Sequence, residues 1–438
     1  MESCGTTRAQ TPREFSAQRI LGAAGPCASA TKVCLYSHDT FGLGHLRRNL
    51  AIADQLLRSE HRFEVWLLTG SPVIRQWSLP ARLHVQPLPP VVKTGAERYA
   101  SRAPGQMFGL TKGYREALIM RLLEEQRPDV FLVDHAPAGM NGELLSTLAL
   151  IRNEMPATRT MLGLRDILDS PAVVRRSWRE QEVQELIEHA YDDVLVYGSE
   201  RLFDVVSAYG LLPSIARRTK YCGYVVGRSR WEMLSARAGG SVCWDTALAG
   251  ERPVVLVTAG GGGDGYFLME AYLRSLERRR SHPFHSVIVT GPLMPPELCA
   301  RIKAMAASRA DVQIVSYTTD LMPSVRAAAL VVAMAGYNTS VELLAARKNA
   351  ILVPRSAPRE EQRVRAQMLA RLGLVSYVEA DAELPARLAE LVPLALSAPR
   401  VYEESATPID LHGAERVVEH LAQVTRRHET GLAVRGVA

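Results

Sequence analysis

Pro253-Val254-Val255-Leu256-Val257-Thr258-Ala259-Gly260-Gly261-Gly262-Gly263-Asp264-Gly265 reads as a buried strand that ends in a glycine turn. An apolar, β-branched run without polar alternation is the pattern of a parallel strand covered on both faces. Four consecutive glycines let the backbone turn sharply and leave several N–H groups unshielded, which suits an anion such as a diphosphate. The spacing over Leu268–Arg279 then predicts a helix, whose amino end favours negative charge. Strand, glycine turn and helix in that order open a parallel α/β sheet, and such sheets bind ligands at the carboxyl ends of their strands.

The same grammar recurs on both sides of this stretch. Downstream, strands are expected over Ser286–Gly291, Val312–Ser316, Leu330–Ala333 and Ala350–Pro354, with helices over Leu298–Ser308, Thr339–Ala346 and Glu360–Leu372. Upstream, strands are expected over Lys32–Ser37, Phe63–Leu68, Asp129–Val133, Thr158–Leu162 and Asp193–Tyr197, with helices at Leu46–Leu57 and Lys112–Glu125. Two successive series of β-α-β units imply an α/β protein with two Rossmann-like, doubly wound domains. The 438 residues suit two domains of ~200 each. Expected boundaries are a disordered tail over 1–30, an N-terminal domain over 31–225, a linker over 226–252, a C-terminal domain over 253–425 and a tail over 426–438. Pro87–Lys112 reads as a long mobile loop on the acceptor side.

Composition narrows the class. Hydrophobic residues at 47% and charged residues at 22% are the balance of a globular chain, and no apolar run approaches the ~18 residues of a membrane span. The formal charge of +6 favours an anionic ligand and leaves room for a transient membrane-surface contact. Basic runs such as Arg278–Arg280 lack interleaved aromatics, so no nucleic-acid partner is expected. The six cysteines are widely spaced with no C-x-x-C pair, which argues against a zinc site or a disulfide scaffold. Leu21–Cys27 superficially resembles the end of a signal peptide, but no apolar stretch precedes it. A cytoplasmic location is expected.

A second glycine loop, Ser37-His38-Asp39-Thr40-Phe41-Gly42-Leu43-Gly44-His45, follows the first expected strand and runs into a helix. Neither loop carries the Gly-Lys-Ser/Thr of a P-loop, so ATP hydrolysis is not expected. Gly260, Gly262 and Gly265 do fit the dinucleotide fingerprint. That site also wants a carboxylate at the end of the next strand, and here the sequence is Thr290-Gly291-Pro292, which demotes a nicotinamide cofactor.

Tyr317-Thr318-Thr319-Asp320, Ala335-Gly336-Tyr337-Asn338-Thr339-Ser340-Val341-Glu342 and Arg359-Glu360-Glu361-Gln362 each come after an expected strand. With the loop ending Gly42-Leu43-Gly44-His45, they resemble the family of the N-acetylglucosaminyltransferase that makes lipid II. The resemblance implies the GT-B fold, a nucleotide-sugar co-substrate and no bound cofactor. It places Glu342 on the ribose hydroxyls, Tyr317 and Thr318 at the base edge, and Gln362 on the sugar. Gly260, Gly261, Gly262, Gly263, Asn338 and Thr339 would cradle the diphosphate, with Asp264 beside them. Val133-Asp134-His135-Ala136-Pro137-Ala138-Gly139 and Leu164-Arg165-Asp166-Ile167-Leu168-Asp169 resemble a branch of predicted glycosyltransferases in the same group. Gly42, Gly44, Arg47, Arg165 and Asp166 fall on the acceptor or phosphate side.

Glycosyl transfer needs a stabilised leaving diphosphate and a base for the attacking hydroxyl. No Asp-x-Asp pair of a metal-dependent donor site occurs in the chain, so no metal is expected, and backbone N–H groups with Arg47 or Arg355 would carry the charge. His45 is the first candidate base, because imidazole titrates near neutrality. Asp134 and His135 compete, followed by Asp39 and His38, and His45 could equally be a strut that fixes the loop. The family implies inverting displacement onto a hydroxyl acceptor, with UDP as the expected nucleotide. A nucleotide-sugar hydrolase, a 2-epimerase or a non-catalytic binding module are the alternatives.

Overall fold

Fully buried runs such as Val130–Asp134, Asp193–Tyr197, Val254–Thr258 and His285–Val289 have no face to give to water, so they can only be interior strands of a covered parallel sheet. The computed structural model assembles two such sheets. It describes residues 30–38, 44–76, 79–95, 98–102, 105–227, 242–277, 281–318, 320–355, 357, 359–398 and 409–435.

In chain order the strands are β1 (Thr31–Tyr36), β2 (Phe63–Thr69), β3 (Leu83–Pro87), β4 (Val91–Gly95), β5 (Arg98–Ser101), β6 (Val130–Asp134), β7 (Arg159–Arg165), β8 (Asp193–Tyr197) and β9 (Thr219–Tyr221). The C-terminal half adds β10 (Val254–Thr258), β11 (His285–Val289), β12 (Val312–Val315), β13 (Leu330–Ala333), β14 (Ala350–Leu352) and β15 (Ser376–Tyr377). The first sheet has seven strands in the order β3-β2-β1-β6-β7-β8-β9, and the second has six in the order β12-β11-β10-β13-β14-β15. Every pairing within them is parallel.

In both sheets the strand order reverses beside the first strand, between β1 and β6 and again between β10 and β13. Crossovers leave to opposite faces there, which opens a crevice above the strand ends. The helix Gly44–Arg58 leaves β1 at the first crevice. It buries Leu46, Asn49, Ile52, Ala53, Leu56 and Leu57 at helical spacing, and Arg48 among them. The helix Tyr337–Ala345 leaves β13 at the second.

Three expectations need correction. The segment over 87–112 is not one long loop. β4 and β5 pair as an antiparallel hairpin, and the helix Phe108–Gln126 follows. The tail expected from 426 is helical as far as Arg435. That helix, Gly413–Arg435, does not stay with the C-terminal sheet. Val417, Val418 and Leu421 share one apolar cluster with Leu46, Ile52 and Leu56, so it packs on Gly44–Arg58. An antiparallel bridge between Val225 and His412 ties the two crossing points of the chain together. The expected disordered stretch 1–29 and most of the linker, 228–241, lie outside the described residues.

Candidate active site in the interdomain cleft

The β1–β6 crevice gathers His45, Asp134 and Arg48. His45 stands in the first turn of its helix, and Asp134 is the last residue of β6. His45 Nδ1 lies 2.6 Å from Asp134 Oδ2. An ionised carboxylate only accepts, so the proton of this bond sits on Nδ1 and the Nε2 lone pair is turned away from Asp134. Asn49 Nδ2 donates to the His45 carbonyl at 2.9 Å and stiffens the turn.

Arg48 closes on Asp134 from the other side, with Nε and Nη2 at 3.0 and 2.6 Å from Oδ1. Both side chains are about 1% exposed. Burial alone would raise the Asp134 carboxyl, but Arg48 and His45 outweigh it and hold the group at about 2. So held, Asp134 stays ionised near neutrality and accepts the His45 Nδ1 proton. Burial lowers His45 to about 4; Asp134 opposes the shift, while Arg48 and Arg165 add to it.

His135 follows in the left-handed region at φ 71, where a side chain is strained, and its N–H donates to the Gly163 carbonyl at 2.7 Å. Burial, then Arg165, holds its pKa well below the usual histidine range. The rings of His38, His45 and His135 stand 5.7, 5.8 and 5.0 Å apart pairwise. Asp39 and Gly42 lie outside the described residues.

The second crevice forms a pocket lined by Gly260, Tyr317, Thr318, Thr339 and Glu342, five of the residues expected around a donor. Thr258, Gly291, Pro292, Leu321 and Leu343 also line it, and Arg47 enters from the N-terminal half. Gly262 serves the loop differently. Its φ is 86, and a Cβ there would meet the Thr290 carbonyl oxygen at 1.9 Å, so it lets the turn after β10 press against the turn after β11. Gly261 packs beside Leu293, and Gly263 is exposed at the tip.

Asp264 does not cap the following helix, whose N-cap is Gly265 without a side-chain bond. It pairs with Arg355 at 3.2 Å and lines a second cavity of about 430 Å³ with Phe267, Arg274 and Asp381. Gln362 is buried, its Oε1 3.4 Å from the Arg355 N–H. Thr319 lies outside the described residues.

The two crevices face each other and are tied by polar bonds. Arg47 Nη1 lies 3.1 Å from Glu342 Oε1, and Asn338 Nδ2 donates to the Gly44 carbonyl at 3.1 Å. Burial raises the Glu342 carboxyl, with Arg47 opposing and Asp320 adding. Arg365 grips Asp166 with Nη2 at 2.6 Å and Nε at 3.0 Å, and both side chains are about 1% exposed. Asp166 is therefore a strut between the halves rather than a group open to a phosphate. Tyr337 stacks under Arg48 at 5.4 Å and Arg365 at 5.8 Å. No local pattern announces Arg48 or Arg365, since their partners lie 86 and 199 residues away.

Residues 254–421 match the family described as the glycosyltransferase family 28 C-terminal domain. No curated protein sequence matches the chain. Among solved structures, MurG of Acinetobacter baumannii aligns at 14% identity and TM-score 0.55, over 90% of this chain and 100% of its own. A UDP-glucosyltransferase from Polygonum tinctorium that glucosylates indoxyl aligns at 14% identity and TM-score 0.60, over 91% of this chain and 99% of its own. A UDP-GlcNAc 2-epimerase from Methanocaldococcus jannaschii aligns at 13% identity and TM-score 0.57, over 90% and 100%. These likenesses show the two-domain GT-B fold. With a glycosyltransferase family 28 C-terminal domain over residues 254–421 set in that fold, the chain is a glycosyltransferase that resembles MurG in fold.

Proposed function

We propose that the protein transfers a sugar from a UDP-sugar, held by the C-terminal half, to a hydroxyl acceptor in the N-terminal half, with inversion and without a metal. The observation that carries this reading is the adjacency of His45 and Arg47. The first is oriented by Asp134, and the second reaches Glu342 inside the donor pocket. The reacting centre would then lie between a general base and the ribose end of the donor.

His45 Nε2 takes the proton of the attacking hydroxyl while Asp134 supports the imidazolium that forms. A lowered pKa makes the ring a weaker base, yet keeps it neutral and ready at pH 7. The leaving diphosphate rests on the N–H groups of the glycine turn and the start of the helix Tyr337–Ala345, with Arg47 as the mobile cation. Such an enzyme would work in the cytoplasm, where nucleotide sugars are expected.

The test is UDP release from a panel of UDP-sugars, with and without alcohol acceptors, in excess chelator. Acceptor-dependent release that survives chelation supports the reading; loss restored by Mg²⁺ or Mn²⁺ removes the metal-free part. A second reading has its own support, since a water molecule could use the same dyad and a 2-epimerase shares the fold. Free sugar released without acceptor identifies hydrolysis, and a product with altered C2 stereochemistry identifies epimerisation.

A further inference from the structure

We propose that Arg165 and Arg359 form an oxyanion subsite, separate from the diphosphate cradle, for a phosphate or carboxylate that a substrate carries beyond its nucleotide. Calling the bound group part of a substrate rests on the transferase reading above. The subsite itself rests on which cations of the cleft are already matched.

Arg47 has Glu342, Arg48 has Asp134, Arg355 has Asp264 and Glu361, and Arg365 has Asp166. Arg165 and Arg359 form no ion pair among the described residues. Arg165 is the last residue of β7, and its Nε is buried without a hydrogen-bond partner. Glu361 is the anion that bears on it, but it forms no ion pair with Arg165: its Oε1 is bound to Arg355 at 2.6 Å, and its Oε2 is buried with no hydrogen-bond partner. Burial lowers the Arg165 pKa to about 10; Glu361 opposes the shift, while Arg48, Arg365 and Arg359 add to it. Arg165 is half-buried with its Nε buried and unbonded, and an incoming oxyanion would satisfy that N–H while gaining a two-pronged partner.

The place is next to the reacting centre. Gly163, two residues before Arg165, pairs in register with Asp134, and the field of Arg165 reaches both His45 and His135. Arg359 comes from the C-terminal half. It is pinned by the neighbouring Glu360 N–H, which donates to Asp169 Oδ1 at 2.9 Å across the cleft. Neither arginine lines the donor pocket around Glu342. Two sources would present an oxyanion here: an acceptor bearing phosphate or carboxylate near its hydroxyl, or a donor sugar with its own carboxylate.

The experiment titrates inorganic phosphate into the full-length protein, first saturated with UDP, then with UDP-glucose, by calorimetry. Phosphate is expected to bind the UDP-loaded protein, and R165Q/R359Q is expected to weaken it about ten-fold or more while leaving the UDP affinity unchanged. If that variant does not fold, R359Q and R165K singly give the same reading. Binding that persists with UDP-glucose in place puts the anion on the acceptor. A UDP-glucuronate affinity above that of UDP-glucose, lost in R165Q/R359Q, puts it on the donor sugar. No phosphate binding to the loaded protein, or equal binding in the variants, overturns the subsite. If UDP itself does not bind, the donor reading fails, and phosphate titration of the free protein still decides the subsite.

Discussion

Arg47 and Glu342, from opposite halves of the chain, meet at 3.1 Å inside the pocket expected to receive the ribose. Donor entry therefore has to exchange a guanidinium for two sugar hydroxyls at the same carboxylate. Glu342→Gln is expected to weaken UDP about 10- to 100-fold. Its 2′,3′-dideoxy analogue should bind wild type and variant alike. Unchanged UDP affinity by calorimetry would take the ribose away from Glu342.

The acid side of the rate profile reports the dyad. His45 must be neutral to act, and its pKa of about 4 lies below the ordinary 6.5. On that basis kcat/KM should stay level from neutrality to about pH 5 and fall about tenfold per unit below about 4. The unfolded chain takes up this proton first, so stability is expected to decline as pH falls from 6.5 towards 4. His45→Ala should lower kcat about 10²- to 10⁴-fold with fold retained by circular dichroism. Near-normal turnover would leave His45 a strut.

Arg48 lowers the pKa of both partners, so Arg48→Met should move the acid limb upward towards neutrality. It also leaves Asp134 buried with one partner fewer, at a cost of about 3–5 kcal/mol in urea unfolding. A limb that stays in place would mean Arg48 only fills space.

Across the cleft, Arg365→Met or Asp166→Asn alone should cost about 3–5 kcal/mol, because each strands a buried group. The double variant should recover a large part of that loss in a mutant cycle. Simple additivity would show that the pair is not coupled.

Gly262→Ala forces a Cβ onto the Thr290 carbonyl at a positive φ, so it should destabilise the protein and weaken UDP binding together. Gly113→Ala, in a helix with no atom within 4 Å of the added carbon, should be neutral or gain about 0.5–1 kcal/mol. Melting curves of the two variants make the comparison.

Asp193–Tyr197 and Leu330–Ala333 are strands at the bounds read from sequence. A strand buried on both faces is an uninterrupted apolar run, and such a run is legible. β3, β9 and β15 escaped because edge strands are short and half solvated, with polar residues such as Gln86 and Lys220 inside them. The hairpin from Val91 to Ser101 lies in a region whose turn signals suggest a loop. Within the site, Gly260, Tyr317, Thr318, Thr339 and Glu342 were legible through the family resemblance, and each follows a strand end, where topology puts ligands. The buried arginine pairs were not, because distant ion pairs leave no periodic trace. Asp134 could be picked out as a strand-end acid and Asp166 through the family resemblance, but what neutralises them could not.

The helix Gly413–Arg435 completes the apolar core under Gly44–Arg58, on the half of the protein that a ribosome makes first. That half leaves the ribosome with Leu46, Ile52 and Leu56 lacking part of their cover, and the donor half is finished before the cover arrives. Translation order and packing order are thus reversed at this seam. A nascent chain halted after the donor half should offer chaperones an apolar face that the finished protein hides.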